Sequence, residues 1–244
     1  MNRETLAMQV VSYLFRLIQE EMLKPGDPIP SETSLAQTLG VSRQVVREAY
    51  RSLSALGVVS IENGKSPRIQ AMNPGVLAQF FGYAIVTEQV QAVQVQEFRR
   101  AIDLQGVRLA VRHGEEADFD CMKAAAAVMR GCDATHPEWI RQDIALHVAI
   151  ADATKNPVFG LVMRALHGLV EESMRVGVPG LKTPEELKRH SSHHDDLVRH
   201  ICARDEANAV AAMETHFEFA RSITMVSQSP SVPAPTPLGT TRSP

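Results

Sequence analysis

Residues 31–65, SETSLAQTLGVSRQVVREAYRSLSALGVVSIENGK, contain the clearest indications of how the chain folds. Ser31 and Ser42 stand where two helices would begin, because a serine side chain can accept a hydrogen bond from a free N–H group at a helix N-terminus. Gly40 and Gly57 stand where those helices would end. The β-prone runs VVSIE and PRIQ follow, and the Asn-Gly pair between them favours a hairpin. This order predicts a helix-turn-helix with a wing.

An amphipathic helix precedes this stretch. Its apolar residues recur at three- and four-residue spacing, the period of one helix face: Leu6, Val10, Tyr13, Leu14, Leu17, Ile18 and Met22. The segment KPGDPIP then ends the helix, since three prolines and a glycine cannot continue it. Residues 1–72 are therefore predicted to form a winged helix-turn-helix domain.

The rest of the chain is mainly α-helical in pattern. Helical periodicity continues to about residue 226, with breaks predicted near Gly114 and at GCDATHP, KNP and GVPGLKTP. We expect residues 73–226 to form an all-α bundle of about six to seven helices, used for effector binding and dimerisation. Residues 227–244, rich in Pro, Ser and Thr, have almost nothing to bury and are predicted to be a disordered tail.

Composition excludes several classes of protein. The 244 residues are 44% hydrophobic and carry a formal net charge of −3, so the whole chain does not have the basic character of many nucleic-acid binders. No apolar run is long enough to span a membrane, and the N-terminus lacks a signal-peptide pattern. The three cysteines show no paired spacing, which argues against disulfides and a thiolate zinc site. A cytoplasmic protein is expected.

A basic stripe runs along the helix that begins after Ser42. Arg43, Arg47 and Arg51 are spaced four residues apart and share one face. The planar arginine fork can bind guanine edges or phosphates with two hydrogen bonds, and the helix N-terminus favours a phosphate at Ser42. The alternative is a solvated face in which arginine pairs with Glu48. The turn before the helix and the hairpin after it favour DNA binding.

Residues 5–70, and PGDPIPSETSLAQTLGVSRQVVREAYRSLSALGVVSIENGK in particular, resemble the DNA-binding domain of the GntR family of bacterial transcription regulators. The resemblance implies that the recognition helix enters the major groove and that the wing tip reaches the adjacent minor groove of double-stranded operator DNA. It places the following residues on DNA: Ser42, Arg43, Gln44 and Arg47 from the helix, and Asn63 and Gly64 from the wing.

The sequence departs from the family pattern at three positions. Thr33 stands where the family usually has Arg after PSE, and Gln44 and Val45 replace more frequent threonines. We therefore expect the contact usually made by that arginine to be weakened or absent, and the operator sequence to differ.

A second candidate site lies in QDIALHVAIADATKNP, residues 142–157. Asp143 and His147 share one face of a helix that is otherwise almost wholly apolar. His194 and His216 also lie on apolar stripes, and three imidazoles with one carboxylate suit Zn²⁺, Ni²⁺ or Mn²⁺.

Three alternatives stay open from spacing alone. Each histidine could be a hydrogen-bonded core residue, and Asp143 could be an acid of the first helical turn, favoured by the helix dipole. The third alternative is that His190, His193 or His200 takes the place of His194.

Residues 76–226 resemble the helical effector domain of the FadR-like GntR subfamily, the FCD type. The motifs EFRRAID, QDIALHVAIADATKNP and HDDLVRHICARDEANAVAAMETHF carry the likeness. It implies metal ligands at Asp143, His147, His194 and His216, and a homodimer on a palindromic operator. Arg99, in EFRRAID, would bind an effector carboxylate. The alternative for Arg99 or Arg100 is a salt bridge to Glu97 or Asp103.

These features predict a ligand-responsive transcription regulator, not an enzyme. We expect a repressor of a catabolic operon whose effector is a small organic or sugar acid bound at the metal. One alternative is a metal-free regulator that binds an acyl-CoA, although the full ligand set argues against it. The other is a metallohydrolase, which would leave the N-terminal domain without a role.

Overall fold

The computed structural model describes residues 5–62, 65–132, 136–177 and 184–227. Within these ranges it describes all side chains except those of residues 92, 170, 172–177, 184–191 and 220–227. The predicted wing contacts Asn63 and Gly64 and the predicted tail after residue 227 lie outside the described residues.

Ten helices and two strands follow one another along the described residues. They are α1 (Leu6–Glu20), α2 (Glu32–Leu39), α3 (Arg43–Ala55), β1 (Val59–Ser60), β2 (Arg68–Ile69), α4 (Pro74–Val86), α5 (Ala92–His113), α6 (Glu116–Gly131), α7 (Pro137–Ala153), α8 (Pro157–Gly177), α9 (Pro184–Cys202) and α10 (Glu206–Ser227). The mainly α fold and the seven helices after the hairpin agree with the prediction. None of the described helices is long and apolar enough to cross a membrane.

The chain divides into two compact units. The first comprises residues 1–95 with 156–168, and the second comprises residues 96–155 with 169–244. The functional division at residue 72 stays a prediction.

The helix-turn-helix is set by local capping. The Ser31 hydroxyl accepts a hydrogen bond from the Ser34 backbone N–H at 3.2 Å, and the Ser42 hydroxyl accepts one from Val45 at 3.3 Å. Gly40 ends α2 with φ of 65°, a left-handed conformation that an L side chain rarely adopts. These contacts confirm the predicted helix starts and the turn between α2 and α3.

The helix-turn-helix, the helix before it and the hairpin share one apolar core. Val10 and Leu14 of α1 and Val46 and Leu53 of α3 are all buried in it. Leu56 is 57% exposed because α3 ends at Ala55 and Leu56 lies beyond its last packed turn.

The hairpin is shorter than its sequence suggests. The two strands pair antiparallel, with Val59 opposite Ile69 and Ser60 opposite Arg68. Only two residues of each β-prone run join the ladder.

In the described part of the second unit, one helix break follows the predicted signal and one does not. The predicted breaks at GCDATHP and GVPGLKTP include residues 133–135 and 178–183, which lie outside the described residues. Gly114 separates α5 from α6, where a Cβ would lie 2.5 Å from the Ala110 carbonyl oxygen. The break at residues 203–205, between α9 and α10, has no glycine or proline and escaped prediction. Arg204 makes this turn with φ of 56°, and its guanidinium donates to the carbonyls of Val111 at 2.6 Å and Gly114 at 2.8 Å.

Candidate metal centre and nucleic-acid interface

Helix α7 supplies two of the candidate ligands. It begins at Pro137, and the His136 ring nitrogen accepts a hydrogen bond from the Glu138 backbone N–H at 3.1 Å. Asp143 and His147 lie further along the helix, and each is only 1% exposed. Since Asp143 is the seventh residue of α7, the alternative that it is an acid of the first helical turn is wrong.

Helices α9 and α10 supply the other two. One potential ligand atom from each of Asp143, His147, His194 and His216 lies within 4.8 Å of the others. The closest approach is a 2.8 Å hydrogen bond between His194 Nε2 and Asp143 Oδ1. His147 Nε2 lies 4.0 Å from the same oxygen, and the His216 ring centroid is 4.8 Å from that of His194. The structure thus brings together the four residues that the sequence proposed as ligands.

The competing histidines lie elsewhere. His193 packs against the Phe219 ring at 5.4 Å between centroids. His200 is 3.4 Å from an Asp205 carboxylate oxygen. Neither joins the buried cluster, and the side chain of His190 lies outside the described residues. Among the described histidines, His194 is therefore the one on α9 that faces Asp143.

The pKa shifts of Asp143 and His216 favour the protonation states that ligate metals. Burial tends to raise the pKa of Asp143, but the hydrogen bond with His194 and the nearby imidazoles hold that pKa well below its usual range. The pKa of His216 is lowered well below its usual value, first by burial and then by His194 and His147. An ionised carboxylate and a neutral imidazole are the forms that bind a metal ion.

Arg99 is buried beside this cluster. Its Nε lies 3.2 Å from Asp103 Oδ2, and its Nη2 lies 4.0 Å from Asp143 Oδ2. The guanidinium also covers the Phe217 ring at 5.5 Å from the centroid. The salt bridge to Asp103, offered above as the alternative role for Arg99, is therefore present, and Arg99 also faces a candidate metal ligand.

Asp103 is the residue that the sequence reasoning left outside the site. Its Oδ1 lies 3.1 Å from Nδ1 of His147, and the residue is 1% exposed. The four-residue spacing from Arg99 placed it on the right face of α5, but no local signal linked it to α7.

The residues present fit a divalent ion. His147 Nε2 is buried and makes no hydrogen bond with any described residue. Because burying an unsatisfied polar atom is costly, this nitrogen needs a partner, and an ion would be one. It lies among two further imidazoles and a carboxylate that could bind the same ion. Such a set of three nitrogens and one oxygen suits zinc and similar cations.

The candidate DNA-contacting residues of α3 lie at its exposed N-terminal end. Ser42, Arg43, Gln44 and Arg47 are all exposed to solvent. Arg47 Nε donates to Glu32 Oε2 at 3.1 Å, so its carboxylate partner is on α2 and not Glu48. This helix can therefore present polar and cationic groups to a DNA groove.

Two family models match the chain. "Bacterial regulatory proteins, gntR family" matches residues 6–69, and "FCD domain" matches residues 94–219. The first match covers the helix-turn-helix and its hairpin, and the second covers every residue of the buried cluster.

Several curated proteins are similar over most of their length. The HTH-type transcriptional regulator LutR of Bacillus subtilis is 28% identical over 204 residues, which cover 82% of this chain and 92% of that protein. The repressor NanR of Cronobacter sakazakii is 26% identical, covering 88% of this chain and 83% of NanR. The Glc operon transcriptional activator of Escherichia coli K12 is also 26% identical, covering 88% of this chain and 87% of that protein.

A solved structure shares the fold. Streptococcus agalactiae GntR has a TM-score of 0.67 at 18% identity and covers 88% of this chain and 99% of its own. The similar proteins are transcription regulators and not enzymes, which confirms the predicted class and excludes the hydrolase alternative.

Proposed function

The chain belongs to the gntR family of bacterial regulatory proteins and carries an FCD domain, and we propose that it is a repressor of a catabolic operon controlled by a metal-bound carboxylate. The observation that carries the proposal is the buried cluster of Asp143, His147, His194 and His216. The relatives include both a repressor and an activator. Repression by this chain is therefore proposed and does not follow from the similarity.

The proposed ion is Zn²⁺, Ni²⁺ or Mn²⁺, held by those four residues. When bound, it supplies a Lewis-acid partner for a ligand oxygen. The buried and unsatisfied Nε2 of His147 supports this version over a metal-free, acyl-CoA-binding regulator. In the metal-free version, that nitrogen would need another partner.

Charge supports an acidic effector. The buried side chains at the site include one cation, Arg99, and two carboxylates, Asp103 and Asp143. With the ligating imidazoles neutral, they leave one net negative charge, which a divalent ion changes to one net positive charge. A small organic or sugar acid with one carboxylate would neutralise the site, and Arg99 would bind that carboxylate.

We propose that a homodimer in the cytoplasm regulates transcription by binding palindromic operator DNA. Ser42, Arg43, Gln44 and Arg47 would contact DNA from α3, and the wing residues Asn63 and Gly64 would do so from the hairpin. Three large apolar side chains of α4 support self-association because they are more than 60% exposed: Phe80, Tyr83 and Val86. The effector must bind the DNA-competent and DNA-incompetent arrangements with different affinity to act as a switch.

Metal analysis followed by thermal-shift screening tests the sensor. We expect one divalent ion per wild-type chain, and a rise in melting temperature with particular organic or sugar acids, since a ligand of the native state stabilises it by mass action. His194→Ala should lose both the ion and the response, whereas the exposed control His113→Ala should keep both. Wild-type protein that binds no divalent ion, or that responds to acyl-CoA after chelation, would contradict the proposal.

A further inference from the structure

Asp103 is a buried carboxylate that the proposed ligand set does not use. Among the described residues, the buried carboxylates are Asp103 and Asp143, each 1% exposed. Asp143 belongs to the candidate metal cluster, whereas Asp103 does not. A buried carboxylate is costly unless charged or hydrogen-bonding partners satisfy it, so the position of Asp103 calls for a role.

The two carboxylate oxygens of Asp103 lie close to two different side chains. Oδ1 lies 3.1 Å from His147 Nδ1, and Oδ2 lies 3.2 Å from Arg99 Nε. Both pairs of atoms are close enough for a hydrogen bond, but their angles do not suit one, and none of the four atoms makes a hydrogen bond with the described residues. The carboxylate is therefore adjacent to both groups and aligned with neither.

The His147 ring has a carboxylate beside each nitrogen. Asp103 lies beside Nδ1 at 3.1 Å, and Asp143 lies on the Nε2 side at 4.0 Å. An imidazole that binds a metal through Nε2 carries its remaining proton on Nδ1. Metal-ligating histidines commonly donate that N–H to a carboxylate, which fixes the tautomer and ring orientation and makes the ligand more basic.

We propose that Asp103 is a positioning residue of the metal centre: one carboxylate oxygen accepts a hydrogen bond from the Nδ1–H of His147, and the other pairs with Arg99. One carboxylate thereby links a metal ligand to the cation that would bind the effector. This inference rests on the proposed metal function.

The consequence for metal binding is measurable. Loss of an outer-sphere partner of this kind typically lowers metal affinity by about 10- to 100-fold. Asp103→Asn, which keeps the size but removes the charge, should weaken Zn²⁺ binding by such a factor in competition with a chromophoric chelator. Asp103→Glu should recover part of the affinity. The exposed control Asp196→Asn, on α9, should match the wild type.

A second readout does not need a metal-loaded site. Long-range ¹⁵N NMR of the metal-free wild type, with His147→Gln used to assign the signal, should show His147 protonated on Nδ1. The Asp103→Asn protein should show a smaller population of this tautomer. A wild-type His147 protonated on Nε2 would overturn the inference.

The two measurements separate this inference from the function on which it rests. Tight Zn²⁺ binding that Asp103→Asn leaves unchanged would refute the role of Asp103 and leave the sensor intact. A wild type that binds no divalent ion would refute the sensor. Weaker Zn²⁺ binding in Asp103→Asn with an Nδ1-protonated wild-type His147 is the result expected here.

Discussion

At the scale of single residues, burial decides what the cluster can do. Asp143, His147, His194 and His216 are each at most 3% exposed, so water cannot satisfy their polar atoms. The hydrogen bond with His194 and the nearby imidazoles hold the pKa of Asp143 well below its usual range, and burial, with His194 and His147, does the same for the pKa of His216. Four polar residues in an apolar interior are a poor arrangement for stability alone, which supports the proposal that they bind an ion.

The lowered pKa of His216 predicts how the metal-free protein responds to acid. In the unfolded chain this histidine titrates near a pKa of about 6.5, whereas in the folded chain its pKa is lowered. Below that pH only the unfolded state binds the proton, so stability is fully present above about pH 6.5 and falls as the pH is lowered. The slope from this group is at most about 1.4 kcal/mol per pH unit.

Urea unfolding in chelator between about pH 7.5 and 5.5 measures this slope. We expect His216→Gln to flatten it, because the substitution removes the group that only the unfolded state protonates. The exposed control His113→Gln should leave the slope as in the wild type. An unchanged slope in His216→Gln would contradict the neutral form assigned to the folded protein.

At the scale of elements, contacts between helix ends connect the helices of the second unit. Arg204, in the turn between α9 and α10, donates to two carbonyls at the C-terminal end of α5 and covers the Phe119 ring at 5.2 Å from the centroid. Helix α5 carries Asp103 and Arg99, and the helices on either side of the turn carry His194 and His216. This contact therefore joins the helix that carries Arg99 and Asp103 to the turn between the two helices that carry His194 and His216.

Removing the Arg204 guanidinium should destabilise the protein. We expect Arg204→Ala to lose about 1–2 kcal/mol of unfolding free energy, since it leaves two carbonyl oxygens without their donor. Arg204→Gly should lose less, because glycine tolerates the positive φ at this position. The midpoint of urea unfolding measures both changes. Arg112→Ala, which breaks a surface pair with Glu206, is the control and should have a smaller effect.

An Arg204→Ala midpoint equal to that of Arg112→Ala would show that the Arg204 guanidinium adds no more stability than the surface pair of Arg112 and Glu206. A Gly variant more stable than the wild type would show that backbone strain outweighs the two hydrogen bonds.

The features that the sequence predicts are those with local causes. Ser31, Ser42 and Gly40 act within a few residues of themselves, so the caps and turns of the helix-turn-helix could be identified in advance. Asp103 and Arg204 act on distant partners, and Arg204 lies 93 residues from Val111. Their roles depend on packing that no local pattern records. The cluster itself was found through family likeness, because spacing alone could not choose among the histidines of α9.

At the scale of the whole molecule, the chain combines a DNA-binding part with a part that carries the buried polar cluster. Regulation requires that a ligand at Asp143, His147, His194 and His216 change how strongly α3 binds DNA. The differential affinity behind such coupling is typically about 1–3 kcal/mol, or 5- to 150-fold in binding. The proposed function depends on this coupling.

Fluorescence anisotropy of the purified protein on its preferred DNA fragment, selected from a random library, tests that claim most directly. Titrations would be run with Zn²⁺-loaded and chelated protein, with and without an organic acid that raises the melting temperature. We expect the acid to weaken DNA binding at least about 5-fold in the loaded wild type, and to have no effect after chelation or in His194→Ala. Arg43→Ala should weaken binding under every condition. DNA affinity that no such acid changes in the metal-loaded wild type would contradict the account.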